Sequence, residues 1–172
     1  MRHLVKLITT VVAFATFSAV AAYASSLPAP KGEPILEITG EIEIGNAGDK
    51  VARFDRDMLE GLGLAAVTTS TPWHTGAVKF EGVPMEKLMA AVGARGKTVR
   101  AVALNDYAIT IPVEDFARHG VILALKRDGQ YMPIRDKGPL FVIYPYDSKP
   151  ELKAQIYYAR SAWQVKRLEV QP

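Results

Sequence analysis

Residues 137–145 read Lys137-Gly138-Pro139-Leu140-Phe141-Val142-Ile143-Tyr144-Pro145. The five consecutive apolar side chains at 140–144 predict a buried strand in the centre of a sheet, since a strand covered on both faces has no polar positions. Residues 135–138 form a charged loop directly before this strand, so they should lie at the rim of the sheet. The chain is therefore expected to contain a buried sheet with polar loops at its edge.

Segments on both sides of this stretch predict further short elements. Alternating or apolar runs indicate strands at 51–54, 64–71, 78–80, 99–104, 108–111, 122–125 and 164–170, with a strand pair at 35–44. Short helices are expected after Asp55, from Pro84 to about Val92 and at 112–118, whereas 150–158 is a loop or a helix. Many short strands with few helices indicate a single α+β domain with mixed β-sheets.

The N-terminus has the pattern of an export signal. Arg2 and Lys6 give a positive start, residues 7–20 form an uncharged apolar run, and 22–24 offer small residues for cleavage. We expect a Sec-type signal peptide at 1–24, a flexible lead-in at 25–34 and one domain at 35–172. The alternative is an uncleaved anchor, although the run is shorter than the ~20 residues that span a bilayer. The expected location is the periplasm, with no stable membrane insertion after cleavage.

Charge and cysteine content exclude several classes of protein. Two of the 21 Lys and Arg residues lie in the signal segment, so the remainder nearly balance the 18 Asp and Glu residues. No basic stripe with interleaved aromatic residues is present, which argues against a nucleic-acid partner. The chain has no cysteine, so it forms no disulfide and has no thiol for catalysis.

Several segments in sequence order resemble the molybdopterin-binding domain of sulfite-oxidase-type oxidoreductases. They are Phe80-Glu81-Gly82-Val83-Pro84-Met85, Asp106-Tyr107, Ile111-Pro112-Val113-Glu114-Asp115-Phe116, Lys137-Gly138-Pro139-Leu140, Val142-Ile143-Tyr144-Pro145 and the final 163–170. Each segment alone is weakly specific, but the occurrence of all six in this order within 67–170 is a more specific signal. The resemblance implies a single sulfite-oxidase-like molybdopterin-binding domain.

The sequence departs from that family at the metal ligand. In the family one cysteine thiolate holds molybdenum, and a thiolate is the soft ligand that such a metal selects. Here residues 67–71 stand at the corresponding strand, with Thr71 or a neighbour at the ligand position, and Phe141 replaces a family arginine. This departure implies pterin binding without redox catalysis. No catalytic residue, metal ligand or redox cofactor is expected, and molybdenum is not expected either.

Exported cysteine-less proteins of this kind resemble periplasmic pterin-binding sensors that regulate cyclic di-GMP enzymes. The resemblance implies a non-catalytic protein that binds a reduced pterin. It would relay pterin occupancy to the periplasmic domain of an inner-membrane diguanylate cyclase or phosphodiesterase. Two alternatives stay open: a molybdopterin-dependent oxidoreductase with a non-cysteine ligand, and an accessory subunit that has lost its ligand.

A pterin is a flat, polarisable bicycle that needs an aromatic face for stacking and polar groups at its edge. Trp73 and His74, in a short polar loop that ends at Gly76, are the first candidates, and Trp73 is alternatively a residue at the core edge. The resemblance implies contacts from Asp106 and Tyr107 in a turn and from Arg160 in a later segment, and the charged rim loop and the end of the apolar strand add Asp136, Lys137 and Tyr144. Local turn formation, solvation and packing are their alternative roles. His119 is expected to be a solvated charge at a helix end, and Trp163 to be structural.

Overall fold

The computed structural model describes residues 27–172, so the signal peptide predicted at 1–24 lies outside the described residues. Within the described part of the chain, no helix has the length and apolar character needed to cross a membrane. Ten strands form two sheets there, and four short α-helices pack against them. The predicted α+β architecture with mixed sheets is confirmed.

The first sheet brings together strands from both ends of the domain. Its strand order is β2 (Val51–Phe54), β1 (Leu36–Gly40), β10 (Val165–Gln171), β5 (Thr98–Ala103) and β6 (Ala108–Pro112). β1 is parallel to β10, and the other neighbouring pairs are antiparallel. The last strand of the chain is therefore central, and the β5–β6 turn lies at one end of this sheet.

The second sheet is antiparallel. Its order is β3 (Ala65–Thr71), β4 (His74–Pro84), β7 (Ile122–Arg127) and β8 (Gln130–Tyr131), and β9 (Phe141–Ile143) also pairs with β7. The strand predicted at 78–80 is part of the longer β4, because β4 pairs with β3 on one side and β7 on the other. Cross-strand bonding thus extends β4 through polar residues that the sequence pattern alone would leave in a loop.

β9 is fully buried, as the apolar run predicted, but it is not central. Within the described residues, β7 is its one partner strand. Alternate β9 side chains enter two core clusters: Val142 packs in the larger cluster, and Phe141 and Ile143 pack in the smaller. Both faces of β9 are therefore buried by the elements that cover them. An apolar run in the sequence has the same pattern whether its strand is central in a sheet or covered in this way.

The helices are α1 (Arg56–Gly61), α2 (Met85–Ala91), α3 (Glu114–His119) and α4 (Gln155–Arg160). Single 3₁₀ turns occur at Ile134–Asp136, Tyr146–Ser148 and Pro150–Leu152. α2 buries the predicted apolar stripe Met85, Leu88 and Met89. The segment for which a loop or a helix was predicted thus contains a 3₁₀ turn and the helix α4.

Asp55 caps α1, as predicted, and also anchors the segment before β1. Its Oδ1 accepts a hydrogen bond from the Met58 amide at 2.9 Å, and its Oδ2 accepts from the amides of Lys31 and Gly32 at 2.8 Å. The Gly32 and Met58 amides hold the pKa of the Asp55 carboxyl below its usual value, because hydrogen bonds favour the ionised form. One carboxylate therefore ties part of the lead-in to the domain.

Candidate functional site

A cavity of about 520 Å³ opens where the β3–β4 turn, the β5–β6 turn and α4 meet. Sites for small molecules typically enclose about 300–1,000 Å³, so a bicyclic ligand fits this volume. The lining comes from three separate parts of the chain: Pro72 and Trp73; Ala103, Asn105 and Tyr107; Gln155, Tyr158, Ala159, Ser161, Ala162 and Trp163. No lining residue carries a charge, so the cavity selects for stacking and neutral hydrogen bonding.

Aromatic rings form one side of the cavity. The half-buried Trp73 packs edge-to-face against Trp163 and Phe141, with ring centroids 5.5 Å apart in each pair. Tyr158 and Tyr146 contact the same indole at 6.1 and 6.5 Å. Trp73 thus lines the cavity and also joins the core. Indole and phenol rings at this wall give a surface on which a flat heterocycle can stack.

The polar side chains of the cavity are two amides, two phenols and the Ser161 hydroxyl. Asn105 Oδ1 accepts a hydrogen bond from the Tyr107 amide at 3.2 Å, which leaves the Asn105 NH₂ group to other partners. Gln155 contributes a second, exposed side-chain amide from the first turn of α4. Tyr107 is 52% exposed and lies at the cavity mouth. Both donors and acceptors are therefore available to the edge of a ligand.

Gln164 connects three loops around Trp163. The Gln164 backbone amide donates to the Lys137 carbonyl at 3.1 Å, and its backbone carbonyl accepts from the Leu104 amide at 2.9 Å. Its side-chain Nε2 donates to the Ile134 carbonyl at 2.6 Å. Gln164 and Lys137 have φ values of 54° and 66°, a region that costs a non-glycine residue roughly 1–3 kcal/mol. The three hydrogen bonds join the loops at residues 104, 134 and 137 to the segment that carries Trp163.

A polar network lies on the other side of the Trp73 turn. Thr71 Oγ1 is 2.8 Å from His74 Nδ1 and accepts a hydrogen bond from the Trp73 amide at 3.3 Å. His74 Nε2 is 3.0 Å from an Arg127 nitrogen, and Arg127 also donates to Asp136 at 2.6 Å. Because a guanidinium only donates, His74 accepts at Nε2 and carries its proton at Nδ1. His74 and Asp136, two predicted ligands, are therefore partners of Arg127 and do not line the cavity.

His74 is held neutral by its surroundings. Burial lowers the pKa of His74 below its ordinary value, and the positive charges of Arg127 and Lys137 lower it further. Its Nδ1–H donates to Thr71, so the Thr71 hydroxyl accepts two hydrogen bonds. The oxygen at the predicted ligand position is thus fully used as an acceptor within the protein.

Two other predicted ligands lie in a buried cluster centred on Asp115. The Tyr144 hydroxyl donates to Asp115 Oδ2 at 2.7 Å, and an Arg160 nitrogen donates to the same oxygen at 2.8 Å. Burial raises the pKa of Tyr144 well above its usual value, and the hydrogen bond to Asp115 raises it further. Neither Tyr144 nor Arg160 lines the cavity.

The remaining predicted residues lie near the cavity. Trp73 and Tyr107 line it, and Lys137 Nζ lies 5.1 Å from the centroid of the Trp163 ring. The Asp106 side chain is 84% exposed and pairs with Lys166 at 2.8 Å, which lowers the pKa of Asp106. A binding role for each of these residues stays a prediction.

Five lining residues with polar or aromatic side chains were absent from the predicted set: Asn105, Gln155, Tyr158, Ser161 and Trp163. Trp163 was expected to be structural, but it is 38% exposed and forms part of the wall. Asn105 and Tyr158 lie in segments that the sequence had already indicated for binding. Identification of the exact residues needed the α4 geometry, which no sequence spacing provides.

The prediction that His119 is a solvated charge is wrong. The residue is 7% exposed, and neither ring nitrogen has a hydrogen-bond partner within the described residues. The Tyr157 ring of α4 covers it, with centroids 5.3 Å apart. Burial lowers the pKa of His119 below its ordinary value, although the nearby Asp115 carboxylate opposes this change.

Comparisons with known proteins identify the fold. Residues 50–150 match the model of the family described as the oxidoreductase molybdopterin binding domain. Twenty-eight solved chains match the structure. One of them is the sulfane dehydrogenase SoxCD from Paracoccus pantotrophus, with a TM-score of 0.58 and 17% sequence identity over 79% of this chain. This chain spans 37% of that SoxCD chain. No curated protein matches the sequence.

The family match corrects the expectation about the cofactor. Molybdenum was not expected, but a domain family defined by molybdopterin binding points to a molybdenum cofactor. The aromatic, amide-lined cavity fits the pterin part of that group. The donor set does not supply the thiolate that the family places on the metal, because the chain has no cysteine. The chain belongs to the oxidoreductase molybdopterin-binding domain family, and it is a single domain of sulfite-oxidase type.

Proposed function

We propose that this domain is a periplasmic pterin-binding protein that reports ligand occupancy and performs no redox chemistry with its own residues. The observation that carries the proposal is the uncharged cavity of about 520 Å³ beside Trp73 and Trp163. Stacking of a flat ring on an aromatic side chain contributes about 1–3 kcal/mol, by analogy with nucleobases. The amides of Asn105 and Gln155 can pair with the amino-pyrimidinone edge of the pterin.

The non-catalytic part of the proposal rests on the chemistry of the donors. The family's redox step uses a protein thiolate, and this sequence contains none. A hydroxyl is a hard, protonated donor at neutral pH and a poor substitute for a thiolate. Thr71 Oγ1 in addition accepts hydrogen bonds from His74 and from the Trp73 amide. Binding of the pterin is therefore supported more strongly than electron transfer.

The signalling part of the proposal rests on the export pattern at 1–24 and on the resemblance to pterin-binding sensors. The proposed partner is the periplasmic domain of an inner-membrane enzyme of cyclic di-GMP turnover. A ligand shifts a partner's equilibrium only when it changes a surface that the partner contacts differently in its two states. Tyr107 and Trp163 line the cavity and are also 52% and 38% exposed, so a bound ligand alters accessible groups.

One specific observation favours a second candidate, a molybdopterin-dependent oxidoreductase with a non-cysteine ligand. This observation is the family match itself, since the family is named for oxidoreductases. In that case the protein would hold the pterin at the same aromatic cavity. Its nearest oxygen and nitrogen donors in the Trp73 turn are Thr71 and His74. An accessory subunit without a ligand is disfavoured by the open cavity.

The experiment uses full-length protein purified without oxygen from its native compartment. Mass spectrometry identifies the released small molecule, elemental analysis measures molybdenum, and calorimetry follows tetrahydrobiopterin binding to stripped protein. A released or added pterin bound to protein without redox turnover supports the proposal. Molybdenum together with substrate turnover establishes the oxidoreductase instead. Protein that is isolated empty and does not bind tetrahydrobiopterin contradicts pterin binding.

The relay is tested separately in the native host. Deletion of the gene should change the cellular cyclic di-GMP level, and the wild-type gene should restore it. A variant that has lost pterin affinity but keeps its melting temperature should not restore it. Restoration by that variant would show that the partner does not depend on pterin occupancy.

A further inference from the structure

Helix α4, together with the residues that follow it, forms the wall of the cavity opposite the β5–β6 turn. Gln155, Tyr158 and Ala159 line the cavity from the helix, and Trp163 lines it from the following segment. α4 has only six residues, and none of them is fully buried. Its N-cap residue Ala154 makes no side-chain capping bond. The core therefore holds α4 through the half-buried rings of Tyr157 and Tyr158, which pack against the larger core cluster, and polar contacts add to this packing.

Asp115 on α3 is an ionic anchor of α4. Its side chain is 6% exposed, and Oδ2 accepts hydrogen bonds from Arg160 of α4 and from Tyr144 after β9. The Arg160 side chain is 18% exposed, so solvent screens this ion pair weakly. One carboxylate oxygen thus joins α4, α3 and the end of β9.

A second contact between the two helices lies one turn further along α3. The unpartnered ring of His119 packs against Tyr157, with centroids 5.3 Å apart, and lies 3.9 Å from Asp115 Oδ1. This contact gives van der Waals packing and no hydrogen bond. The Asp115–Arg160 pair therefore adds a directional ionic contact to the packing of the Tyr157 ring against His119 and Tyr144.

We propose that Asp115 is a positioning residue for the pterin site: through Arg160 it holds α4 against α3 and so sets the cavity wall. Asp115 does not line the cavity and touches no ligand there. The inference rests on the proposed pterin function. It also explains why Arg160, one of two cations expected to contact the ligand, pairs with Asp115 instead.

The test compares Asp115→Asn with Glu114→Gln. Both residues lie on α3, but Glu114 is exposed, whereas Asp115 is buried. Asp115→Asn keeps an acceptor for the Tyr144 hydroxyl and removes the charge that faces Arg160. Hydrogen–deuterium exchange of amides 155–163 reports on the wall without any ligand. Calorimetry with tetrahydrobiopterin reports on affinity.

In Asp115→Asn we expect faster exchange at 155–163 and a dissociation constant raised about tenfold, as loss of one charge-assisted hydrogen bond predicts. Glu114→Gln should match the wild type in both measurements. A lower melting temperature with unchanged exchange and unchanged affinity would show that Asp115 only stabilises the fold, and would overturn the inference.

A second variant covers the case in which Asp115→Asn does not fold. Arg160→Lys keeps the charge but loses the planar guanidinium, so exchange at 155–163 should rise less than in Arg160→Gln. Equal exchange in both variants and the wild type would contradict the anchor. If the wild type does not bind tetrahydrobiopterin, the pterin proposal fails, whereas the exchange data still decide whether Asp115 positions α4.

Discussion

Replacement of Trp163 by alanine tests the aromatic wall with limited damage to the core. Trp163 is 38% exposed, whereas Trp73 also packs in both core clusters. The Trp163 ring makes two edge-to-face contacts, with Trp73 at 5.5 Å and Phe141 at 6.1 Å. Loss of two such aromatic pairs should cost about 1–3 kcal/mol of unfolding free energy, in addition to the contribution of the apolar area that the ring buries. That is a fraction of the roughly 5–15 kcal/mol typical of a domain, so the variant should fold.

The expected loss of pterin affinity follows from the same ring. Stacking on one aromatic side chain contributes about 1–3 kcal/mol, which corresponds to a roughly 5- to 150-fold higher dissociation constant. Tyr131→Ala is the matched control, because Tyr131 is 43% exposed and lies on β8, away from the cavity lining. Anaerobic calorimetry with tetrahydrobiopterin measures affinity, and thermal unfolding measures stability. A folded Trp163→Ala protein with wild-type affinity would refute stacking at this wall.

Three further predictions concern single groups. Burial lowers the folded-state pKa of His119 below 6.5. The contribution of neutral His119 to the free energy of unfolding is therefore complete above pH 6.5 and is lost as the pH falls through the folded-state pKa. His119→Gln should therefore flatten the acid side of the unfolding profile, and an unchanged profile would contradict this. Burial and the positive charge of Arg127 both lower the pKa of His74, so Arg127→Gln should raise that pKa. An NMR titration of His74 that is identical in the variant and the wild type would refute this. Asp55→Ala should cost about 1–2 kcal/mol in urea unfolding because the α1 cap is lost, and exposed Asp57→Ala should cost less.

The sequence predicts the helices and strands of this domain better than it predicts which strands pair with one another. Alternation and capping signals locate α1, α2 and most strands, because these signals act within a few residues. The pairing of β1 with β10 joins residues more than a hundred positions apart, and no local pattern specifies it. The same limit explains β9, whose apolar run predicted burial correctly and a central position incorrectly.

The candidate site shows the same limit at the level of side chains. Trp73 could be selected from the sequence as a large aromatic residue in a polar loop, and Tyr107 was selected through the family resemblance; both line the cavity. Arg160 looked like an available cation, yet it pairs with Asp115, which is distant in sequence. His119 looked solvated, because nothing in the sequence indicates that Tyr157 covers it. The sequence therefore shows the chemical type of each side chain, whereas the tertiary contacts of that side chain decide whether it is free to bind a ligand.

The Trp73 turn joins the polar network to the aromatic wall. Thr71 Oγ1 accepts a hydrogen bond from the Trp73 amide, so this hydroxyl helps to fix the backbone that carries the indole. His74 holds that hydroxyl from one side, and Arg127 holds His74 in turn. None of these three side chains lines the cavity. Under the proposed function, the polar residues of this turn serve the pterin site by orienting Trp73, and the absence of a thiolate does not affect that role.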